Sequence, residues 1–422
     1  MRDSDIPTRN AIDAVWRIEA ARLIGGLVRV VRDVDRAEDL AHEALLTALQ
    51  FWPETGIPDN PGAWLMTTAK NRAVDDIRRR AMMDEKHIEI EHTAVQSTTL
   101  DVEALDDTVG DDVLRLVLIA CHPVLSKDAR VALTLRLVAG LSTAEIARAF
   151  LTSEAAVAQR IVRAKRTIAE AKVPFELPRG EELRVRIPPA LEVIYLIFNE
   201  GYVATEGEDW LRLDLCEEAM RLGRILVGLV PDDAEAHGLV ALMEFQASRF
   251  RARVTSSGEP VLLYDQDRAK WDRLLITRGL AALERAEALK QPLGPYTLQA
   301  AIAARHAVAR TPEETDWERI VALYDALVEL TGSPVVELNR AVAIAMAYGP
   351  AEGLSLVDEL AEDPALRDYY LLPAVRGDLL SKLDRRAEAG AEFEKAAAMA
   401  TNARERNVLL SRAAALLSGA PR

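Results

Sequence analysis

The segment 141–172, LSTAEIARAFLTSEAAVAQRIVRAKRTIAEAK, decides the fold that we expect for the middle of the chain. Ser142 and Glu145 have the spacing of a capping box, which predicts a short helix to about residue 150. The letters LTS then form a turn, and Ser153 can cap a second helix to about residue 169. A short helix, a three-residue turn and a longer helix together predict a helix-turn-helix.

The second helix of this segment has an apolar and a basic face. Its inward positions are predicted to be Val157, Ala158, Ile161, Ala164 and Ile168. The outward face begins with small residues, which permit close approach to base edges. Amide and cationic groups follow, and these suit bases and phosphates respectively. The face therefore favours DNA binding, and an ordinary helical hairpin with a basic surface is the alternative.

A second basic segment, AKNRAVDDIRRR at 69–80, lies in a chain whose formal net charge is -15. A helix over 64–79 would place its apolar half against a core and Trp64 on the polar half, beside hydroxyl, amide and cationic residues. An aromatic ring next to cations is typical of single-strand binding, because the ring stacks on a base while the cations contact phosphates. A solvated arginine-rich helix is the alternative, and the segment alone does not decide.

The acidic charge of the chain is segregated from both basic segments. Net charge is -1 over 1–83, -7 over 84–110, +4 over 111–172 and -11 over 173–422. A nucleic-acid-binding protein needs only a local cationic surface. The acidic total therefore does not exclude DNA as a partner.

Composition predicts an all-α chain of several domains. The sequence is 50% hydrophobic and only 5% aromatic, and it lacks the β-branched and aromatic weighting of sheets. At 422 residues it is too long for one ordinary core. We expect a helical domain over 1–83, an acidic flexible linker over 84–110, a helix-turn-helix domain over 111–172, a connector over 173–189 and a helical-repeat domain over 190–422.

Two proline-containing segments indicate where helices are interrupted. The segment 51–62, FWPETGIPDNPG, contains three prolines, which are expected to lie outside helices. The segment 173–189 contains four, which predicts a semi-rigid connector.

The last part of the chain contains an internal repeat. Segments 339–360 and 375–396 align at an offset of about 36 residues. The alignment pairs small residues where helices would cross and a large one between them: Ala341 with Gly377, Gly353 with Ala389, and Val357 with Phe393. This spacing predicts stacked helix pairs similar to tetratricopeptide repeats.

Enzyme, metal and membrane functions have little support in the sequence. Cys121 and Cys216 are isolated, and no catalytic motif, metal-ligand ladder, signal peptide or long apolar span occurs. We expect no catalytic residue, no metal, no cofactor and no membrane contact, and a cytoplasmic location. The polar strings NEGY (199–202) and YDQDR (264–268) could form a polar pocket or a metal site, but such clusters more often satisfy helix ends and interhelical hydrogen bonds.

Three segments, in this order, resemble the extracytoplasmic-function sigma factors of bacterial RNA polymerase. RAEDLAHEALLTAL (36–49) is similar to the polymerase-binding helix of that family, GAWLMTTAKNRAVDDIRRR (62–80) to its minus-ten recognition segment, and 141–168 to its minus-thirty-five helix-turn-helix. Two positions depart from the family pattern. His42 stands where Gln is usual, and Leu151 where Gly is common.

The resemblance implies core RNA polymerase and promoter DNA as partners. The polymerase surface would consist of Glu38, Asp39, His42, Glu43 and Leu46. The minus-ten DNA surface would consist of Trp64, Thr67, Thr68, Lys70, Asn71, Arg72, Asp75, Arg78 and Arg79. The minus-thirty-five DNA surface would consist of Ser153, Ala155, Ala156, Gln159, Arg160, Arg163, Lys165 and Arg166.

The C-terminal half contains the strings YLIFNEGY (195–202), YDQDRAKWDRLLI (264–276), GPYTLQAAIAA (294–304) and SPVVELNRAVA (333–343). In these strings it resembles the extension of one subgroup of that family, in which a helical-repeat domain is fused to the sigma factor. The resemblance implies regulation through this extension, and its acidic charge suggests an intramolecular contact with the basic sigma domains. An unknown ligand or protein bound to the extension is the other hypothesis. A DNA-binding ligand sensor that never joins polymerase is the alternative for the whole chain.

Overall fold

The computed structural model describes residues 5–88, 109–150, 152–176, 178, 180–202, 213–255, 261–400 and 403–418. Over these residues the regular structure consists of α-helices and short 3-10 turns, so the expected all-α class is confirmed. The chain divides into two compact units, Met1–Leu196 and Ile197–Arg422. Leu151, where the family pattern has Gly, lies outside the described part.

The first unit contains seven helices and most of an eighth among its described residues. They are α1 (Asp5–Val31), α2 (Val34–Thr55), α3 (Pro61–Ile88), α4 (Val109–Ala120), α5 (Lys127–Leu137), α6 (Thr143–Ala149), α7 (Glu154–Glu170) and α8 (Glu181–Tyr202). The end of α8 belongs to the second unit.

The second unit continues with ten helices in its described residues. They are α9 (Leu213–Leu229), α10 (Ala234–Ala247), α11 (Arg273–Ala288), α12 (Pro295–Val308), α13 (Trp317–Thr331), α14 (Pro334–Tyr348), α15 (Pro350–Leu360), α16 (Leu371–Lys382), α17 (Arg386–Met399) and α18 (Ala403–Ser418).

Helices α1, α2 and α3 pack together through large apolar side chains, and this fixes the faces that they present to solvent. Leu27, Leu40 and Leu65 are almost completely buried, one from each helix. The carboxylate of Asp33 accepts from the Arg36 backbone N–H and caps α2. Arg36 in turn donates to Asp76 at 2.9 Å, which ties α2 to α3.

The expectation that all prolines of 51–62 lie outside helices is wrong for Pro53, which lies in the last turn of α2. A proline removes only one backbone hydrogen bond, and near a helix end the carbonyl that loses it can turn to water. The neighbouring Trp52 is buried and holds this turn in place. The expectation is also wrong for Pro61, which begins α3, because a proline at the first helical position loses no intrahelical hydrogen bond.

The expected connector over 173–189 is also wrong in part, because α8 begins at Glu181 and includes Pro188 and Pro189. A proline inside a helix costs about 3 kcal/mol. Four buried apolar residues share one face of this helix at spacings of four, three and four: Ile187, Leu191, Ile194 and Phe198. Each contributes about 2 kcal/mol when buried, so their packing offsets the cost of the prolines.

The expected acidic linker over 84–110 falls mostly outside the described residues. Helix α3 continues through residues 84–88, so the first part of this range is helical rather than flexible. Helix α4 begins at Val109.

The predicted repeat consists of two helical hairpins, α14 with α15 and α16 with α17. A Cβ at Gly353 would lie 2.5 Å from the Cβ of Ala345, so only glycine permits this helix crossing. A Cβ at Gly377 would lie 3.0 Å from the ring of Phe393. Val357 and Phe393 are buried as the large residues of the two hairpins. The alignment at an offset of about 36 therefore marks real packing positions.

Candidate nucleic-acid interface

The helix-turn-helix is formed by α6 and α7. Ser142 N–H donates to Glu145 Oε2 at 2.8 Å, and Glu145 N–H donates to Ser142 Oγ at 3.2 Å, which confirms the capping box. Ser153 Oγ accepts from the Ala156 backbone N–H at 3.2 Å and starts α7. Both helices therefore begin where local capping predicts.

Helix α7 buries one face and exposes the other. Val157, Ile161, Ala164 and Ile168 are buried, as predicted, whereas Ala158 is only half-buried. Most of the expected DNA surface is open to solvent: Ser153, Ala155, Ala156, Gln159, Arg163 and Arg166 are exposed, and Arg160 is half-exposed. Arg166 pairs with Glu170 of the same helix at 2.6 Å.

The exposed face of α7 borders a groove with the start of α5. Gln159, Arg160 and Arg163 line one side, and Ser126 and Asp128 line the other. Ser126 caps α5, so the backbone N–H groups of the first turn lie beside this groove. Arg160 approaches Asp128 at 3.8 Å, an exposed pair that contributes little to stability. The groove can therefore accept an anionic partner between a helix N-terminus and two guanidinium groups.

Lys165 departs from the predicted surface. Its Nζ lies 2.5 Å from Glu38 Oε2 and 2.7 Å from Asp35 Oδ1, both on α2. Only 10% of its side chain is exposed. Burial lowers its pKa, but the charges of Glu38 and Asp35 raise the pKa overall, so Lys165 stays protonated. In this arrangement Lys165 contacts α2 and is not available to a phosphate.

Helix α3 presents most of the expected minus-ten surface. Thr67, Asn71, Asp75, Arg78 and Arg79 are exposed, and Thr68 and Lys70 are half-exposed. Trp64 is half-buried, with its ring centroid 5.3 Å from that of Trp52 at an interplanar angle of 65°. The buried Trp52 therefore holds the Trp64 ring edge-to-face at the surface.

Arg72 also departs from the predicted surface. It donates to Glu43 Oε2 at 2.9 Å and to Thr47 Oγ1 at 2.7 Å, both on α2. Its guanidinium group therefore connects α3 with the helix expected to bind polymerase. Thr67 Oγ1 donates to the carbonyl of Ala63, so its methyl and hydroxyl stay on the outer side of α3.

The five expected polymerase-binding residues of α2 differ in accessibility. Asp39 is exposed and Leu46 is 58% exposed, while Glu43 is half-exposed. Glu38 is buried at 5% exposure and His42 is half-buried. Although burial acts to raise it, the pKa of Glu38 is lowered by the charges of Lys165 and Arg136, so the carboxylate stays ionised.

Sequence reasoning missed Arg136 of α5. Its Nε donates to Glu38 Oε1 at 2.6 Å, and Arg136 also donates to the carbonyl of Leu141 at 3.2 Å. No periodic pattern indicates such a residue, because Glu38 lies 98 positions earlier in the chain.

The polar strings of the second unit join helices together. Tyr202 of NEGY lies under the guanidinium of Arg253, 3.5 Å from ring centroid to Cζ. Arg268 of YDQDR donates to the carbonyls of His306 and Ala309 at the end of α12, each at 2.8 Å. Both strings thus satisfy helix ends and interhelical contacts, which is the interpretation that the sequence favoured.

Neither a metal site nor a membrane span stands out in the part of the chain that the structure describes. No three His, Cys, Asp or Glu side chains are grouped there so as to hold a metal ion. No described helix is long and apolar enough to cross a bilayer.

Comparison with protein families places known domains on this geometry. Residues 17–82, which span α2 and most of α3, match the family described as Sigma-70 region 2. Residues 115–168, which contain α5, α6 and nearly all of α7, match Sigma-70, region 4. Residues 186–287 match a family of unknown function, DUF6596.

Individual relatives agree with these matches. A protein of Rhizobium meliloti (strain 1021), named uncharacterized protein R00370, is 45% identical over 386 residues, which are 90% of each chain. A probable ECF RNA polymerase sigma factor SigI of Mycobacterium tuberculosis (strain CDC 1551 / Oshkosh) is 29% identical over 38% of this chain and 56% of its own length. The RNA polymerase sigma-H factor of Pseudomonas aeruginosa is 29% identical over 36% of this chain and 82% of its own length.

The two sigma regions occur in the order that the sequence motifs predict, and each covers the helix expected to act there. A ligand sensor that acts without polymerase has no need of region 2, so that alternative is not favoured. The chain belongs to the extracytoplasmic-function sigma factors and carries a long C-terminal helical extension beyond the two sigma regions.

Proposed function

We propose that this sigma factor binds core RNA polymerase through one face of α2. Leu46 supplies an exposed apolar contact, and Asp39 and Glu43 supply negative charge on the same face. An apolar centre flanked by charge is typical of a specific protein surface. Glu38 and His42 extend this face when their present contacts are released. The protein would then act where polymerase and promoter DNA are found, in the cytoplasm.

The proposed minus-ten contact lies on α3. Trp64 is the group that would stack on an unpaired base of the melted strand, because its ring is held at the surface by Trp52. The hydroxyl and amide groups of Thr67, Thr68 and Asn71 would contact base or sugar atoms. Lys70, Arg78 and Arg79 would neutralise phosphates, and Asp75 lies exposed beside them. Arg72 is left out of this contact, because its guanidinium donates to Glu43 and Thr47 of α2.

The proposed minus-thirty-five contact is the groove between α7 and the start of α5. This groove is the single observation that carries the DNA-binding proposal, because it combines an amide, two guanidinium groups and a capped helix N-terminus. Gln159 and Arg160 would read base edges, and Arg163 and Arg166 would contact phosphates. Small residues at the start of α7 leave room for the duplex.

Regulation by the C-terminal extension is the remaining part of the proposal. Helix α8 leads into the extension, and its Glu192 pairs with Lys127 at 2.6 Å and Arg130 at 3.3 Å, both on α5. Because α5 lines the proposed DNA groove, a displacement of α8 would move α5 through the Glu192 ion pairs and so alter the shape of that groove. An intramolecular contact of the acidic extension with basic sigma surfaces would act in the same direction, and a ligand or protein at the extension would supply the signal.

A comparison of two proteins tests the DNA-binding and regulatory proposals. The Arg163→Gln variant should bind the promoter at least tenfold more weakly while its affinity for core polymerase stays unchanged. Glu192→Gln should change promoter-dependent run-off transcription without changing the fold. Unchanged promoter binding by Arg163→Gln would contradict the groove, and unchanged transcription by Glu192→Gln would contradict coupling through α8.

A further inference from the structure

Three charged side chains join the helix-turn-helix domain to α2 in a buried cluster, which we name the clasp: Glu38, Arg136 and Lys165. Arg136 Nε donates to Glu38 Oε1 at 2.6 Å, and Lys165 Nζ lies 2.5 Å from Glu38 Oε2. Both oxygens of one carboxylate are therefore held by cations from the other domain. The side chains of Glu38 and Lys165 are 7% and 10% exposed, so water is largely excluded.

Two further groups of α2 surround the clasp. Asp35 Oδ1 accepts from Lys165 Nζ at 2.7 Å. His42 Nδ1 lies 2.9 Å from the carbonyl oxygen of Glu38, and His42 Nε2 lies 3.0 Å from a terminal nitrogen of Arg136. A neutral His42 that donates from Nδ1 and accepts at Nε2 satisfies both contacts. Burial and the charge of Arg136 lower the pKa of His42, which agrees with a neutral ring.

The clasp engages groups that the proposed function assigns to other partners. Glu38 and His42 belong to the proposed polymerase surface, and Lys165 belongs to the proposed promoter surface. A carboxylate enclosed by two cations of its own chain cannot face a separate protein at the same time. Asp39 and Leu46 stay exposed on α2, so a partner can first contact the open part of this surface.

A buried ionic contact suits a reversible closure better than an apolar interface does. The cost of removing these charges from water offsets most of their attraction. The ion pairs therefore add little net stability to the contact between the domains, although they fix its geometry. When the domains separate, water or charged groups of a partner replace the lost pairs. An apolar interface of the same area would oppose separation far more strongly.

A close helix crossing accompanies the clasp. Gly25 of α1 faces the backbone of Asp112 in α4, and a Cβ at this position would lie 2.3 Å from the Asp112 carbonyl oxygen. Helix α1 belongs to the region 2 match, whereas α4 leads into the region 4 match. A larger side chain at Gly25 is therefore expected to push α4 away from α1 without changing any residue of the clasp.

We propose that the clasp is an autoinhibitory latch, which holds the helix-turn-helix domain on α2 in the free chain. Polymerase that docks on the exposed part of α2 exchanges the contacts of Glu38 for its own, and Lys165 then becomes available to promoter DNA. This inference rests on the proposed contact between α2 and polymerase.

A distance measurement tests the latch without any need for activity. Spin labels on Phe51→Cys, near the exposed end of α2, and on Glu170→Cys, at the exposed end of α7, report the separation of the two domains. The native Cys121 and Cys216 are buried and should react little with the label. We expect one narrow distance distribution in the free full-length chain.

Variants of residues outside both binding surfaces should open the latch. Arg136→Glu places a carboxylate beside Glu38, and we expect a longer and broader distance distribution. Gly25→Leu should give the same change by a steric route if Arg136→Glu proves to fold poorly. Arg340→Glu is the matched control, because Arg340 likewise pairs with carboxylates, Asp325 at 2.6 Å and Glu337 at 2.8 Å, but in the second unit. It should leave the distance unchanged.

Affinity for core RNA polymerase is measured on the same proteins. If most free chains are closed, the apparent affinity of the chain for core polymerase is reduced. Arg136→Glu, which opens the latch, should therefore bind core polymerase about tenfold more tightly than the unaltered chain. Unchanged distances and unchanged affinity in both Arg136→Glu and Gly25→Leu would overturn the latch. Longer distances without any polymerase binding, in every protein tested, would refute the proposed function of α2 and would retain the latch.

Discussion

Replacement of Trp64 separates a structural from a DNA-binding role of its ring. Trp64 is partly buried, and truncation to alanine removes roughly 100 Å² of its buried apolar area, which corresponds to about 2.5 kcal/mol. The edge-to-face contact with Trp52 adds about 1 kcal/mol. Trp64→Ala should therefore lower the free energy of unfolding by about 3 kcal/mol, Trp64→Leu by about 1 kcal/mol, and Trp64→Phe by less.

The informative comparison is between Trp64→Leu and Trp64→Phe, because both fill the site and only phenylalanine retains a ring that stacks on a base. Urea unfolding gives the stability, gel-shift titration gives promoter binding by the holoenzyme, and permanganate footprinting gives promoter melting. We expect Trp64→Leu to lose about tenfold in melting, with little loss of initial binding, and Trp64→Phe to retain most melting. Equal loss of melting and binding in the two variants would show that Trp64 is only structural.

Three further predictions concern salt, pH and packing. Promoter binding should weaken steeply with rising salt, because Arg and Lys contacts release counterions from the DNA. Arg163→Gln should reduce the slope of log affinity against log salt concentration by about one. An unchanged slope would show that Arg163 does not contact DNA. Burial and the charge of Arg136 lower the pKa of His42 below its ordinary value near 6.5, so the unfolded state binds more protons and the free energy of unfolding should fall as the pH drops below about 6.5. Urea unfolding at pH 7.5 and 5.5 measures this loss, which should be smaller in His42→Gln. An equal loss in both proteins would contradict the prediction. A Cβ at Gly238 would lie 2.4 Å from Thr297 Oγ1, so Gly238→Ala should destabilise the protein by about 2 kcal/mol. A Cβ at Gly390, inside α17, would meet nothing within 4 Å, so Gly390→Ala should stabilise it by up to about 1 kcal/mol. Thermal unfolding of the two variants tests the opposite signs.

Local signals allowed the helix-turn-helix to be predicted from the sequence. Capping at Ser142 and Ser153 depends only on residues within one helical turn, and the structure contains both caps. The apolar stripe of α7 is local in the same sense, because its spacing follows from the helix itself. The small residues of the repeat, such as Gly353, were found because the same crossing occurs twice.

Errors arose where distant parts of the chain decide the outcome. Pro188 and Pro189 lie inside α8 because buried neighbours on one face offset their cost, and no rule about proline alone predicts this. The sequence predicts DNA contacts for Arg72 from its position on the helix and for Lys165 from its cationic type and the family resemblance, and neither signal reveals a carboxylate on a distant helix. Both cations instead pair with carboxylates of α2.

Initiation of transcription is the central claim, and a run-off assay tests it most directly. The assay combines the purified full-length chain, core RNA polymerase and DNA from upstream of the chain's own coding region. We predict a transcript of one defined length that requires both the chain and the polymerase, and that is lost when Leu46 is changed to Asp. Absence of any transcript, from a chain that also fails to associate with core polymerase on gel filtration, would contradict the account.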